Sequence, residues 1–166
     1  YPAIRDFFDK HRNVPLWVLV NFLSLGQIIN FYQVIDEELR ERIAQNFAEE
    51  FSEEYTNLQL SAHELDAILE VAFPYRNKSA HEEVIYRFRL PHPVDLKELE
   101  IRLQNESGSL SQGTVYSVAA LLKLVLAKEE YDVFSAELAR LIDELKENVQ
   151  SRAFGIIMKD AGFYSL

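Results

Sequence analysis

Apolar residues recur at helical spacing along almost the whole chain, and strand signals are weak everywhere. Leu16, Leu19, Val20 and Leu23 form an i, i+3, i+4, i+7 stripe behind Pro15, a residue suited to a helix's first turn with Asn13 or Val14 just before it. Gly26 interrupts that run, and Ile28, Ile29, Tyr32 and Ile35 begin a second stripe. Residues 15–35 are long enough to raise a membrane-spanning helix. Asn21, Gln27, Asn30 and Gln33, with the central Gly26, favour a buried hairpin or kinked helix instead. From Glu38 to Ser52 one helical face carries Leu39, Ile43, Phe47 and Phe51. Ser61 and Glu64 read as a capping box opening a helix with Leu65, Ile68, Leu69 and Phe73 inward. Pro74 ends or kinks that helix and suits the start of the next, which puts the residues after it in a helix's first turns.

The segment from Leu90 to Leu96 contains Pro91 and Pro93 and reads as an extended turn. A short helix near 95–104 and a Ser/Gly-rich loop over Asn105–Gly113 follow. Val115 to Leu126 is almost wholly apolar and predicts a central buried helix. Phe134, Leu138, Leu141 and Leu145 line the last long helix. The expected fold is all-α, an orthogonal or up-down bundle of six to eight helices, with residues 1–166 forming a single domain.

Charge narrows the function classes. The net charge is −10, which argues against a chain that coats nucleic acid through many Lys/Arg–phosphate contacts. The distribution is uneven. Residues 36–54 hold eight acidic and two basic side chains, net −6, whereas residues 75–92 hold four basic and two acidic, net +2. An acidic surface with one basic spot focuses a polyanion onto that spot. The chain has no Cys, which excludes a disulfide framework or thiolate metal site and is compatible with a reducing cytoplasm. No basic segment precedes an apolar core at the N-terminus, so no signal peptide is expected. Met158 is the only methionine, so the chain is expected to be a portion of a longer protein.

The basic island contains the most telling stretch, Arg76-Asn77-Lys78-Ser79-Ala80-His81. Arg holds a phosphate through two parallel N–H bonds and stays protonated at any physiological pH. His takes and returns a proton near neutrality. Together they are minimal equipment for cleaving a phosphodiester whose own 2′-hydroxyl attacks. On a helix Asn77 and His81, four apart, share a face, and the long Arg76 side chain can swing to the same place. These three are expected to converge on one accessible concave spot. Tyr75, Tyr86 and Phe88 interleave with Arg76, Arg87 and Arg89, which would suit base stacking beside phosphate clamping, with Lys78 adding a further cation.

Other chemistries find no foothold. His63-Glu64 has no second His at helical spacing, His11 and His92 sit near turns, and the carboxylates of 36–54 read as a solvated helix face. No Gly-rich phosphate loop, nucleophile elbow or Cys nucleophile occurs. No metal or cofactor is expected. Trp17, on an apolar stripe, is expected to be a buried structural residue.

Pro15-Leu16-Trp17, Leu23-Ser24-Leu25-Gly26, Arg76-Asn77 with His81, and Ala161-Gly162-Phe163 occur here in order. In this the chain resembles the Abi-like family of bacterial abortive-infection proteins, within the HEPN superfamily of all-helical domains. The resemblance covers nearly the whole chain. Family members are usually longer at the N-terminus, so it implies that residues 1–166 are a C-terminal HEPN portion. It further implies a metal-independent endoribonuclease acting in phage defence or as a toxin, with Arg76, Asn77 and His81 catalytic and Tyr75, Lys78, Arg87 and Arg89 on the RNA. Its implied partners are RNA, a second copy of the chain in a homodimer, and an antitoxin or N-terminal regulatory region. The alternative is a catalytically silent HEPN module that binds RNA or protein. One segment, Glu82-Glu83-Val84-Ile85, departs from the family in lacking basic and aromatic residues.

Overall fold

The computed structural model describes residues 2–51, 59–105 and 108–164. Among the described residues the chain forms nine α-helices and one 3-10 turn, with no strand. The chain is all-α, as expected, with more helices than the six to eight anticipated. Two come from segments that the sequence reading left unassigned, Pro2–His11 (α1) and Ser151–Ala161 (α9). By backbone packing the chain divides into two compact units, Tyr1–Asp36 and Glu37–Leu166.

In the first unit, α1 is followed by α2 (Leu16–Leu19), which tightens into a 3-10 turn over Val20–Phe22, and then by α3 (Leu25–Val34). The break between α2 and α3 is set by Ser24 rather than Gly26, which lies inside α3. The Ser24 hydroxyl accepts from the Gln27 N–H, and the Gln27 side chain accepts from the Ser24 N–H, 2.8 Å away. That reciprocal box satisfies two otherwise orphaned donors and starts a new helix where the apolar run would have continued. Ile29 and Tyr32 are buried. Trp17 is not: it is 70% exposed, against the expectation of a buried structural residue. Among the described residues no helix is long and apolar enough to cross a membrane.

The second unit is organised around α5 (Ala62–Ala80), which packs against α4 (Glu37–Phe51) and α7 (Val115–Leu122). The Ser61–Glu64 capping box forms as the sequence indicates, with both reciprocal bonds made. Leu65, Ile68, Val71 and Tyr75 lie within 4% exposure along the inner face of α5. Ala44 and Ala48 of α4, which packs on α5, are also buried, as are Leu60, Leu99, Leu110 and Leu121. Pro74 stands inside α5 and does not end it. Its missing N–H leaves the Glu70 carbonyl without its helical donor, but Ile68, Val71 and Tyr75 on either side hold the helix through that point by burial.

Between α5 and α7 the described residues include one short helix, α6 (Lys97–Arg102). The buried carboxylate of Glu100 ties it down, accepting from the N–H groups of Gly108 and Leu110 at 2.7 and 2.8 Å. The apolar run beginning at Val115 stays helical only to Leu122. Thr114 opens it with a capping box to Ser117, and turns follow from Lys123. The long α8 (Lys128–Asn148) has no fully buried residue, and Leu141 is 48% exposed rather than inward. In α9, Met158 and Ala161 are buried, and the helix ends at Gly162 with φ +91°. A Cβ there would lie 2.2 Å from the Thr114 hydroxyl, so glycine is required both by the backbone and by contact with the residue that caps α7.

Candidate functional site

Because α5 continues through Pro74, the Arg76–His81 stretch occupies its last turn and a half instead of the first turns of a new helix. The electrostatic consequence is a reversal. A helix N-terminus attracts phosphate, whereas this C-terminal end presents carbonyl oxygens and favours cations. Any attraction for a polyanion must come from the side chains.

Arg76 is exposed and donates from a guanidinium nitrogen to the Asn77 amide oxygen at 3.3 Å. Asn77 is half-buried, and its carbonyl accepts the His81 N–H at 3.2 Å. His81 caps the helix and is exposed. The chain then reverses through Glu82 at φ +54°. The Glu82 N–H reaches the Ser79 carbonyl (3.2 Å) and the Glu83 N–H the Lys78 carbonyl (3.0 Å), the paired bonds of a Schellman closure. A non-glycine residue at this left-handed position carries strain of about 1–2 kcal/mol.

The residues expected to contact RNA are placed differently. Tyr75 is 4% exposed, so it offers no stacking face. Its ring packs edge-on against Phe88, centroids 5.0 Å apart, and its hydroxyl donates in a shared bond to the carbonyls of Phe88 (2.7 Å) and Gly113 (2.9 Å). Burial pushes this phenol up from 10 to about 12, while the Arg89 charge pulls the other way. Gly113 sits at φ +56°, where a Cβ would collide with Leu90 at 2.4 Å. Tyr75 is thus a latch joining α5 to two loops.

Lys78 pairs with Glu83 at 2.6 Å and lies 4.7 Å from the Phe88 ring centre. The hydrogen bond from Lys78, then the Lys78 and His81 charges, hold the exposed Glu83 carboxyl below its ordinary range. Arg87 reaches Asp160 at the end of α9 (3.2 Å) and lies over the Tyr86 ring, with its side chain 65% exposed. Arg89 donates to the Gln112 side chain (2.7 Å) and the Asp160 carbonyl (3.2 Å). Arg87 and Arg89 therefore clamp the segment after the motif to α9 and the 108–113 loop. Of the hexapeptide's two permanent cations, Arg76 is bonded to a neutral amide and Lys78 to a carboxylate.

Sequence reading missed the counterparts of these side chains: Glu83, Gln112, Gly113 and Asp160. The last three are 23 to 73 residues away from the side chains they engage, beyond any local signal. Glu83 is close, but the reversal that folds it onto Lys78 lacks the glycine that usually announces such a turn. A separate cleft of about 340 Å³, lined by Pro93, Asp95, Lys97, Glu100 and Ser111 among others, includes no residue of the motif.

The model of a family described as Abi-like protein matches residues 2–87. The match takes in α1 to α5 and the whole of the Arg76–His81 motif, and stops before α6. No curated protein and no solved structure matches the chain.

Proposed function

This chain belongs to the Abi-like protein family, and we propose that it is a metal-independent endoribonuclease of the HEPN type. Family membership points to abortive infection, a defence against phage. The observation that carries the catalytic reading is the end of α5, where an exposed Arg76, its partner Asn77 and an exposed His81 fall within six residues.

In this reading the Arg76 guanidinium binds the scissile phosphate and offsets the charge that builds on the phosphorane. Asn77 holds Arg76 in place through the bond already present. His81 removes the proton from the ribose 2′-hydroxyl, the 2′-oxygen attacks phosphorus, and the 5′-oxygen leaves with a proton from an imidazolium. The products are a 2′,3′-cyclic phosphate and a 5′-hydroxyl, and DNA is spared because it has no 2′-hydroxyl. One imidazole cannot be base and acid in the same step. His92 lies eleven residues on, in a segment flanked by prolines, so the acid is His81 of a second copy in a homodimer. A closed two-fold pair is the commonest way to supply it. The protein acts in the cytoplasm, where an antitoxin or an N-terminal regulatory region restrains it.

One observation favours the catalytically silent alternative in its protein-binding form: Tyr75 is buried, and Lys78, Arg87 and Arg89 are all engaged within the chain. Growth of bacteria expressing the wild-type chain beside an Arg76→Ala/His81→Ala chain separates the two. Growth arrest by the wild type alone supports the nuclease. Equal growth, with RNA intact in both cultures, refutes it.

A further inference from the structure

The two glutamates after His81 give an acidic exit to a basic motif, and the geometry assigns one of them a task. The Schellman closure brings residue 83 back over residue 78, positions that usually carry an apolar pair. Here the pair is Glu83 and Lys78, bonded twice: the Glu83 N–H on the Lys78 carbonyl, and the Lys78 ammonium on the Glu83 carboxylate at 2.6 Å. The Phe88 ring flanks the same ammonium, leaving the Lys78 side chain only 27% exposed. Resting on the RNA reading above, we propose that Glu83 is an internal stand-in for phosphate, occupying the anion position of Lys78 and keeping that lysine off the RNA backbone.

The turn makes the arrangement specific to Glu83. Glu82, at left-handed φ, bonds through its backbone to Ser79, while Glu83 is delivered onto Lys78. With the carboxylate in place, Arg76 is the hexapeptide cation left for a phosphate. Removing the carboxylate restores a second one. An exposed pair of this kind holds by only a few-fold in an equilibrium, so Glu83 tunes the site without sealing it.

The test is a salt titration of binding to a short single-stranded RNA, 2′-O-methylated throughout so that it resists cleavage. Glu83→Gln is expected to bind about two- to fivefold more tightly than wild type. The slope of log affinity against log salt should steepen by about 0.7, one added phosphate contact. Lys78→Ala alone should leave affinity and slope close to wild type, and in the Glu83→Gln background it should cancel both gains. Glu82→Gln removes the same charge one residue away and should leave the slope unchanged. Equal affinity and slope for wild type and Glu83→Gln would overturn the proposal while leaving the RNA reading intact. So would a severalfold loss on Lys78→Ala alone, or a full gain on Glu82→Gln. Failure of every chain to bind the strand would overturn the RNA reading and this proposal together.

Discussion

Replacing Tyr75 with Phe removes one oxygen and keeps the ring against Phe88, so it isolates the latch. The hydroxyl serves two carbonyls, and that of Gly113 belongs to a buried residue. Losing a net hydrogen bond and leaving a buried acceptor without its donor should together cost about 1–3 kcal/mol at neutral pH. Alkali gives an independent readout. The Tyr75 phenol titrates near 12 in the folded chain, above the ordinary value of 10. A folded-state pKa raised in this way means that the stabilisation is complete below pH 10 and is lost as pH rises through 12. Two units correspond to about 3 kcal/mol at the alkaline limit. Denaturant unfolding from pH 8 to 12 should therefore show the wild type losing stability faster than Tyr75→Phe above pH 10. The gap between the two chains should narrow accordingly. A Tyr75→Phe chain as stable as wild type at pH 8, with a parallel alkaline profile, would refute the latch.

Glu82→Gly relieves the left-handed strain but loosens the unfolded chain, and a net gain near 1 kcal/mol should raise Tm by about 2–4 °C. Gly162→Ala should destabilise by roughly 2 kcal/mol or more, because the new methyl meets the Thr114 hydroxyl and the residue must hold a positive φ. A Tm within a degree of wild type would contradict that account of the α7–α9 contact. Trp17→Ala should change stability by less than about 1 kcal/mol, given its 70% exposure, where a buried tryptophan would cost about 3–5 kcal/mol. Thermal unfolding measures the first two and chemical denaturation the third.

Helix type and the start of α5 follow from period and a single cap, Ser61–Glu64; of the residues expected inward, Leu65 and Ile68 are buried, whereas Leu69 and Phe73 are half-buried and Val71 and Tyr75 take the inner face. The same kind of signal is present at Ser24–Gln27, where apolar continuity conceals the start of α3; at α7 the expected start at Val115 holds, and only the end moves back from Leu126 to Leu122. Gly26 and Pro74 were read as breaks from local propensity. Gly26 costs a helix only about 1 kcal/mol, which α3 tolerates behind its Ser24 cap, and Pro74 is held by buried neighbours on both sides. At the site, the order Arg76, Asn77, His81 was legible, while the commitments of Tyr75, Arg87 and Arg89 were not. Their partners Gly113 and Asp160 come close only in the folded chain. Aromatic and basic residues alternating along a strand of sequence look alike whether they face RNA or fasten loops.

The central claim is a proton transfer by His81 at a phosphate held by Arg76, and end-group chemistry reads it directly. Purified chain is incubated with single-stranded RNA in excess chelator, and the fragment ends are identified by mass spectrometry. The account predicts fragments ending in 2′,3′-cyclic phosphate and beginning with 5′-hydroxyl, with the rate falling roughly 10²–10⁴-fold in His81→Ala. Intact RNA, or cleavage that proceeds equally in His81→Ala and Arg76→Ala, would contradict it.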